Sequence, residues 1–173
     1  MYSDILHPTD GSDGADAALE TARDLAEKYG ATVHVLHVVD PSTVGWGIAD
    51  DLHDTENTGM VGDPEGGAVG MIGEQETGSQ ILEQKTDHAE EIVEQVASEL
   101  SGVDVETAVE YGQPHEVILD YADGKADCIV MGTHGRTGLE RYLLGSVTEK
   151  VVRLSDVPVV TVRETPDSGG EKP

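Results

Sequence analysis

The apolar residues of the chain change their spacing several times, and each change predicts an element. Ile5-Leu6-His7-Pro8 reads as a short strand, and Thr9-Asp10-Gly11-Ser12 as the turn that leaves it. Ala18, Leu19, Ala22, Leu25, Ala26 and Tyr29 then recur at helical spacing until Gly30 stops the run. Thr32 to Val39 is a second strand, closed by Asp40-Pro41. Ile81, Leu82, Ala89, Ile92, Val93, Val96 and Leu100 mark a long amphipathic helix ending before Gly102. Val103, Val105, Thr107, Val109 and Tyr111 alternate with Asp104, Glu106, Ala108 and Glu110, which predicts a strand with one wet face, as at a sheet edge. A helix through Val117, Ile118 and Tyr121 follows Pro114. Cys128 to Met131 is continuously apolar, as a central parallel strand covered on both faces is. A helix through Val147, Val151, Val152 and Leu154 follows Gly145, and Val157 to Arg163 is the last strand. Five strands alternating with four helices predict a doubly wound, Rossmann-like α/β fold with a parallel sheet.

Between Ser42 and Gly78 the periodicity stops. That stretch holds nine glycines and many acids, with only Trp46, Met60 and Met71 scattered among them. It predicts a flexible insert, residues 42–78, inside a single domain spanning 1–164. The tail, 165–173, with two prolines, two glycines and few apolar residues, is expected to be disordered.

Charge changes this picture more than composition does. Thirty-five acidic residues stand against ten basic ones, a formal −25, yet the acids are dispersed and the apolar periodicity between them is intact. Such a chain repels itself in dilute buffer, and molar salt, where the Debye length falls to ~3 Å, screens that repulsion. The reading is a halophilic, cytoplasmic protein that binds no nucleic acid, because a polyanion repels phosphate backbones. The thermal midpoint is therefore expected to be higher in ~2 M KCl than in dilute buffer. A midpoint that stays level or falls would count against it. The first apolar run is short and broken by Pro8, and no segment approaches the ~18 apolar residues of a membrane helix, so no membrane partner is expected. The single Cys128 reads as a small core residue. His7, His34 and His37 sit within strands without acidic or cysteine neighbours along the chain, and read as packed or hydrogen-bonded residues rather than metal ligands.

The chemistry gathers after the fourth strand. Met131 runs into Gly132, then Gly135, and nine residues later Gly145-Ser146 opens a helix. Glycines at a strand exit allow a close approach to a bound group, and the amides opening the next helix can hold an anion. On spacing alone, a turn that merely needs positive φ explains the same glycines. From Arg136 to Arg163 the chain carries Arg136, Arg141, Lys150, Arg153 and Arg163 against Glu140, Glu149 and Asp156, a formal +2 in an otherwise acidic chain, which favours the anion site. Asp10 is an acceptor suited to paired hydroxyls, or the residue that turns and caps the first helix. Ser146 is a phosphate contact or an N-cap, and the two are compatible. His134, inside the glycine turn, reads as a solvated loop residue.

The pattern Gly132-x2-Gly135-x9-Gly145-Ser146, with Met131 before it, Val147 after it and Pro8-Thr9-Asp10 closing the first strand, resembles the ATP-binding branch of the universal stress protein family. The resemblance covers about residues 1–40 and 80–163. It implies strand order 3-2-1-4-5 and an adenine nucleotide alpha hydrolase-like fold. It also implies a site in which Val38 backbone holds adenine beside Pro8 and Thr9, and Asp10 and Gly132 lie near the ribose. Gly135, Gly145, Ser146 and Val147 would line the phosphates, with Arg136 and His134 in the same loop. The expected cofactor is ATP with Mg²⁺, and the expected partner a second copy through the last strand, Val157 to Val162. Three functions remain open: an ATP-binding regulatory or stress-response module, a slow ATP hydrolase or phosphotransferase, and a dimeric interaction module that binds no nucleotide. No catalytic residue is assigned.

Overall fold

The computed structural model of the chain describes residues 2–44, 78–134 and 144–164. Most of the 42–78 segment with Trp46, the loop bearing Gly135, Arg136 and Arg141, and the 165–173 tail lie outside the described residues. In chain order the elements are β1 (Asp4–Pro8), α1 (Asp13–Tyr29), β2 (Thr32–Val39), a 3₁₀ turn (Pro41–Val44) and α2 (Gly78–Glu99). They continue with β3 (Val105–Tyr111), α3 (Pro114–Ala122), β4 (Cys128–Gly132), α4 (Ser146–Leu154) and β5 (Val159–Val162). All pairings are parallel and the sheet order is β3-β2-β1-β4-β5, as the resemblance implied.

Each face of the sheet buries its own set of side chains. Ile5, Val33, Val35, Cys128 and Val130 pack under α1 and α2, against Ala18, Ala22 and Ala26 of the first and Ile92, Val93 and Val96 of the second. Leu6, Leu36, Ile129 and Met131 point the other way, onto Ile118 and Ala122 of α3 and Val151 of α4. The alternation along β1, β2 and β4 is the period-2 signature of strands covered on both sides. α1 ends where Gly30 turns left-handed at φ 64° and donates its N–H to Ala26 O, a conformation that costs glycine no side-chain clash. The Arg23 guanidinium of α1 donates to Glu99 O, capping the end of α2, whose last turn carries no basic residue of its own.

Three sequence expectations need correcting. The last strand is shorter than Val157 to Arg163. Pro158 has no N–H for a ladder, and Val157 sits in a turn closed by Ser155, whose Oγ donates to Val157 O at 2.8 Å. Val103 belongs to the turn after α2, its N–H donating to Leu100 O at 3.2 Å, so β3 starts at Val105. His34 does have carboxylate neighbours. Its Nε2 lies 3.0 Å from Asp4 Oδ1, and its Nδ1 lies 3.5 Å from Glu106 Oε2 and 3.3 Å from the Tyr121 hydroxyl. These partners are far apart in sequence, and parallel pairing of β1, β2 and β3 brings them together at the amino edge of the sheet. The residue remains a hydrogen-bonded one; among the described residues no group of three His, Cys, Asp or Glu is arranged to hold a metal.

Candidate functional site

The site begins where the two central strands part. β1 is in register with β4 only at Ile5 and Leu6, opposite Cys128 and Ile129, whereas β1 follows β2 to Pro8 and β4 follows β5 to Gly132. The next rung would need an N–H from Pro8 to reach Val130 O, and proline has none. The His7 ring takes over that carbonyl, its Nδ1 lying 3.0 Å from Val130 O in the buried interior. Because only an N–H can face a carbonyl, Nδ1 carries the proton, and burial then pushes the ring's pKa down to about 4, the bond to Val130 opposing the fall. The crevice opens beyond this point, at the carboxyl ends of the strands where the order reverses, the position at which open α/β sheets bind ligands.

A cavity of about 420 Å³ lies there. Of the residues expected at a site, Pro8, Thr9, Asp10, Val38, Met131, Gly132, His134, Gly145, Ser146 and Val147 all line it. Gly135 and Arg136 lie outside the described residues. Leu36, Asp40, Ala15, Pro114, Ile118 and Thr148 line it as well, and the sequence reading missed them. Two of these had a local signal. Leu36 and Asp40 share the period-2 face of β2 with Val38, and that strand ends at the same sheet edge. Pro114 and Ile118 had none, because only the packing of α3 across β2 brings them over the crevice.

The cavity lining is mixed in chemistry. Leu36, Val38, Ile118 and Met131 make an apolar slot, suited to a flat ring. α1 and α4 reach the same cavity through Ala15 and Ser146 of their first turns. The α1 terminus is already compensated. Ser12 accepts from Ala15 N at 3.4 Å, Asp10 Oδ1 accepts from Ser12 N at 3.2 Å and Ser12 Oγ at 2.6 Å, and Asp13 and Asp16 lie in the first turn. Burial, followed by the charges of Glu99, Asp13 and Asp10, holds the Asp16 carboxyl above the usual range. The α4 terminus has one acid in its first turn, Glu149, which is paired with Arg153, but its N-cap is Gly145 and no side chain caps it. Ser146 is thus the first helical residue, which corrects the N-cap reading. An uncapped helix start beside a cavity presents free N–H groups and partial positive charge to that cavity.

The glycines are explained by neither of the two sequence readings alone. The glycines of the described chain with positive φ are Gly11, Gly30, Gly102, Gly112 and Gly124, so Gly132 and Gly145 do not serve a left-handed turn. A β-carbon on Gly132 would overlap Gly14 O and lie 2.6 Å from the Gly14 carbonyl carbon. One on Gly14 would lie 2.5 Å from His134 O, and one on Gly145 would lie 3.2 Å from Thr133 O. These glycines let α1, β4 and the entry to α4 meet backbone to backbone. Thr148 Oγ1 donates to Gly132 O at 2.9 Å and Gly145 N donates to Thr133 O at 2.8 Å, fastening the same junction. His134 is also not the solvated loop residue expected: it is part-buried in the cavity wall, and its Nε2 is shielded from water.

A family model described as the universal stress protein family matches residues 1–163. A universal stress protein of Methanocaldococcus jannaschii is 36% identical over 165 residues, a match covering 95% of this chain and 84% of that protein. Among solved structures, UspA from Lactobacillus plantarum shares the fold with a TM-score of 0.70 at 27% identity, covering 94% of this chain and 98% of that one. A universal stress protein from Archaeoglobus fulgidus in complex with dAMP shares it with a TM-score of 0.51 at 23% identity, covering 92% of this chain and 97% of that one.

Proposed function

Since the chain belongs to the universal stress protein family, we propose that it is an ATP-binding member of it, a regulatory or stress-response module that reads nucleotide rather than turning it over. The observation that carries this reading is one cavity lined both by apolar side chains and by the uncapped start of α4, which suits a ligand with a flat base and phosphates. Val38 and the Leu36, Ile118 and Met131 side chains would hold adenine. Asp10, fixed by its bonds to Ser12, would face the ribose hydroxyls. Ser146 and Val147 would offer amides to phosphate oxygens, with Gly145, its own N–H bonded to Thr133 O, lining the approach; a triphosphate brings Mg²⁺ held largely by those oxygens and water. That a family member of the same fold was solved with dAMP supports the choice of an adenine nucleotide.

Binding is favoured over turnover because the described groups at the phosphate end are mostly backbone amides and small side chains, which position charge but accept no proton, and the one imidazole there, His134, has its Nδ1 engaged by Thr133. Calorimetric titration of the full chain with ATP and Mg²⁺ in molar KCl should give saturable one-site binding with little phosphate release over hours. Absence of binding would defeat the reading, and rapid release would replace it with the hydrolase.

A homodimer through β5 completes the proposal. Val159 packs with the α3 and α4 face and Val160 and Val162 with the α1 and α2 face, so the valines serve this chain's own core and pairing would have to come from the strand's outer backbone edge. Light scattering at micromolar concentration in high salt should give twice the 18.3 kDa chain mass, and a monomer would remove the idea.

A further inference from the structure

Resting on the nucleotide reading above, we infer that the His134 imidazole is a side-chain ligand for the anionic end of the nucleotide, held in its donor tautomer by Thr133. Among the described residues lining the cavity it is the only side chain that carries an N–H or can become a cation. The rest are apolar, hydroxyl-bearing or, in Asp10 and Asp40, anionic. A cavity built for phosphate that holds two carboxylates leaves this one ring to oppose them from the side-chain inventory.

Its placement suits the task. The backbone of His134 is clamped between two helix starts: a β-carbon on Gly14 would meet His134 O, and one on Gly145 would lie 3.7 Å from the His134 α-carbon. The ring therefore sits beside the uncapped entry to α4. Its Nδ1 is 2.9 Å from Thr133 Oγ1. When that hydroxyl donates to Nδ1, the neutral ring keeps its proton on Nε2. Nε2 is shielded from water and has no hydrogen-bond partner among the described residues. A shielded N–H without an acceptor is costly, and a phosphate oxygen bound in the cavity that His134 lines is an acceptor of the kind it lacks. Thr133 is then a positioning residue, its own backbone fixed by Thr133 N donating to Val162 O at 2.9 Å and Thr133 O accepting from Gly145 N at 2.8 Å.

The test is calorimetric titration of the full chain in molar KCl with ATP, ADP and adenosine, using the parent and His134→Asn, His134→Gln and Thr133→Val. Asparagine retains a polar group toward Thr133 but nothing at the Nε2 position, so ATP and ADP should bind about 10-fold or more weakly while adenosine is unaffected. Glutamine, whose amide reaches the Nε2 position, should recover part of the loss, and Thr133→Val should fall between. In ¹⁵N spectra of the parent's histidines, the His134 Nε2 signal should be that of a protonated nitrogen and should move with ATP and not with adenosine. Unchanged ATP affinity in His134→Asn overturns the inference, as does equal weakening of ATP and adenosine, which marks a role in folding only. If the parent binds neither ATP nor adenosine, the nucleotide reading falls and takes this one with it. If it binds both and the variants behave as the parent does, only the role of His134 is lost.

Discussion

Gly132→Ala is expected to lower the thermal midpoint by at least roughly 6–12 °C, and Gly132→Val to prevent folding under the same conditions. The new β-carbon overlaps Gly14 O and lies 2.6 Å from the Gly14 carbonyl carbon and 3.2 Å from Ala15 N, all backbone atoms at the start of a helix. No rotamer relieves such a clash, so either α1 moves off β4 or β4 bends. Overpacking costs of ~1–3 kcal/mol are measured where side chains can give way, and here they cannot, which sets ~3 kcal/mol as the lower end. A domain of this size loses ~2–4 °C per kcal/mol. Against a net stability of ~5–15 kcal/mol, valine's extra methyls would consume most of the margin.

The neighbouring glycines make the series internally controlled. Gly14→Ala gains ~1 kcal/mol of helix preference, yet its β-carbon would stand 2.5 Å from His134 O, so it should still destabilise. Gly145→Ala meets Thr133 O at 3.2 Å, a contact that a few tenths of an ångström relieve, so it should cost less stability and instead crowd the α4 terminus. The expected ranking by differential scanning calorimetry is Gly132, then Gly14, then Gly145, with nucleotide affinity more sensitive than the midpoint at Gly145. A Gly132→Ala protein melting with the parent would show that the junction is looser than its geometry implies.

The same junction shows which parts of the site are legible in sequence. The glycines at Gly132 and Gly145 stand out because they interrupt apolar runs, and the alternation of strands and helices indicates a doubly wound parallel sheet, while its strand order is implied by the family resemblance alone. Their reason does not stand out. Gly14 looks like one polar, helix-weakening residue in Asp13-Gly14-Ala15, and its contact with Gly132 spans more than a hundred residues. Pro114 and Ile118 are ordinary helix-start and core residues until α3 is laid across β2. His34 illustrates the converse: local sequence offered it no acid, while the parallel register supplied two. Local periodicity encodes which residues face inward, and the pairing of distant elements decides what they face.

His7 supplies the second large effect, and it is a dependence on pH. The ring is fully buried, donates from Nδ1 to Val130 O at 3.0 Å, and presents an Nε2 with no partner among the described residues. Its pKa lies at about 4 in the fold, against 6.5 for an exposed imidazole, chiefly because burial disfavours the cation. Between those two values the unfolded chain binds a proton that the native chain refuses, so stability is complete above about 6.5 and is lost as pH falls toward about 4. The shift corresponds to ~3 kcal/mol when fully expressed. The acidic surface works the other way over part of this range, since protonating carboxylates relieves self-repulsion as the pH nears the isoelectric point of about 4.2. The parent curve alone would therefore mix two effects. His7→Asn separates them, because its amide can still donate to Val130 O, covering for the N–H that Pro8 lacks, and does not titrate. In urea unfolding at fixed high salt, the stability difference between parent and His7→Asn should be flat above about pH 7 and should shift by ~3 kcal/mol in favour of asparagine by about pH 4. Parallel curves across that range would mean that His7 is not held neutral, and with it would go the account of how the crevice between β1 and β4 is kept open.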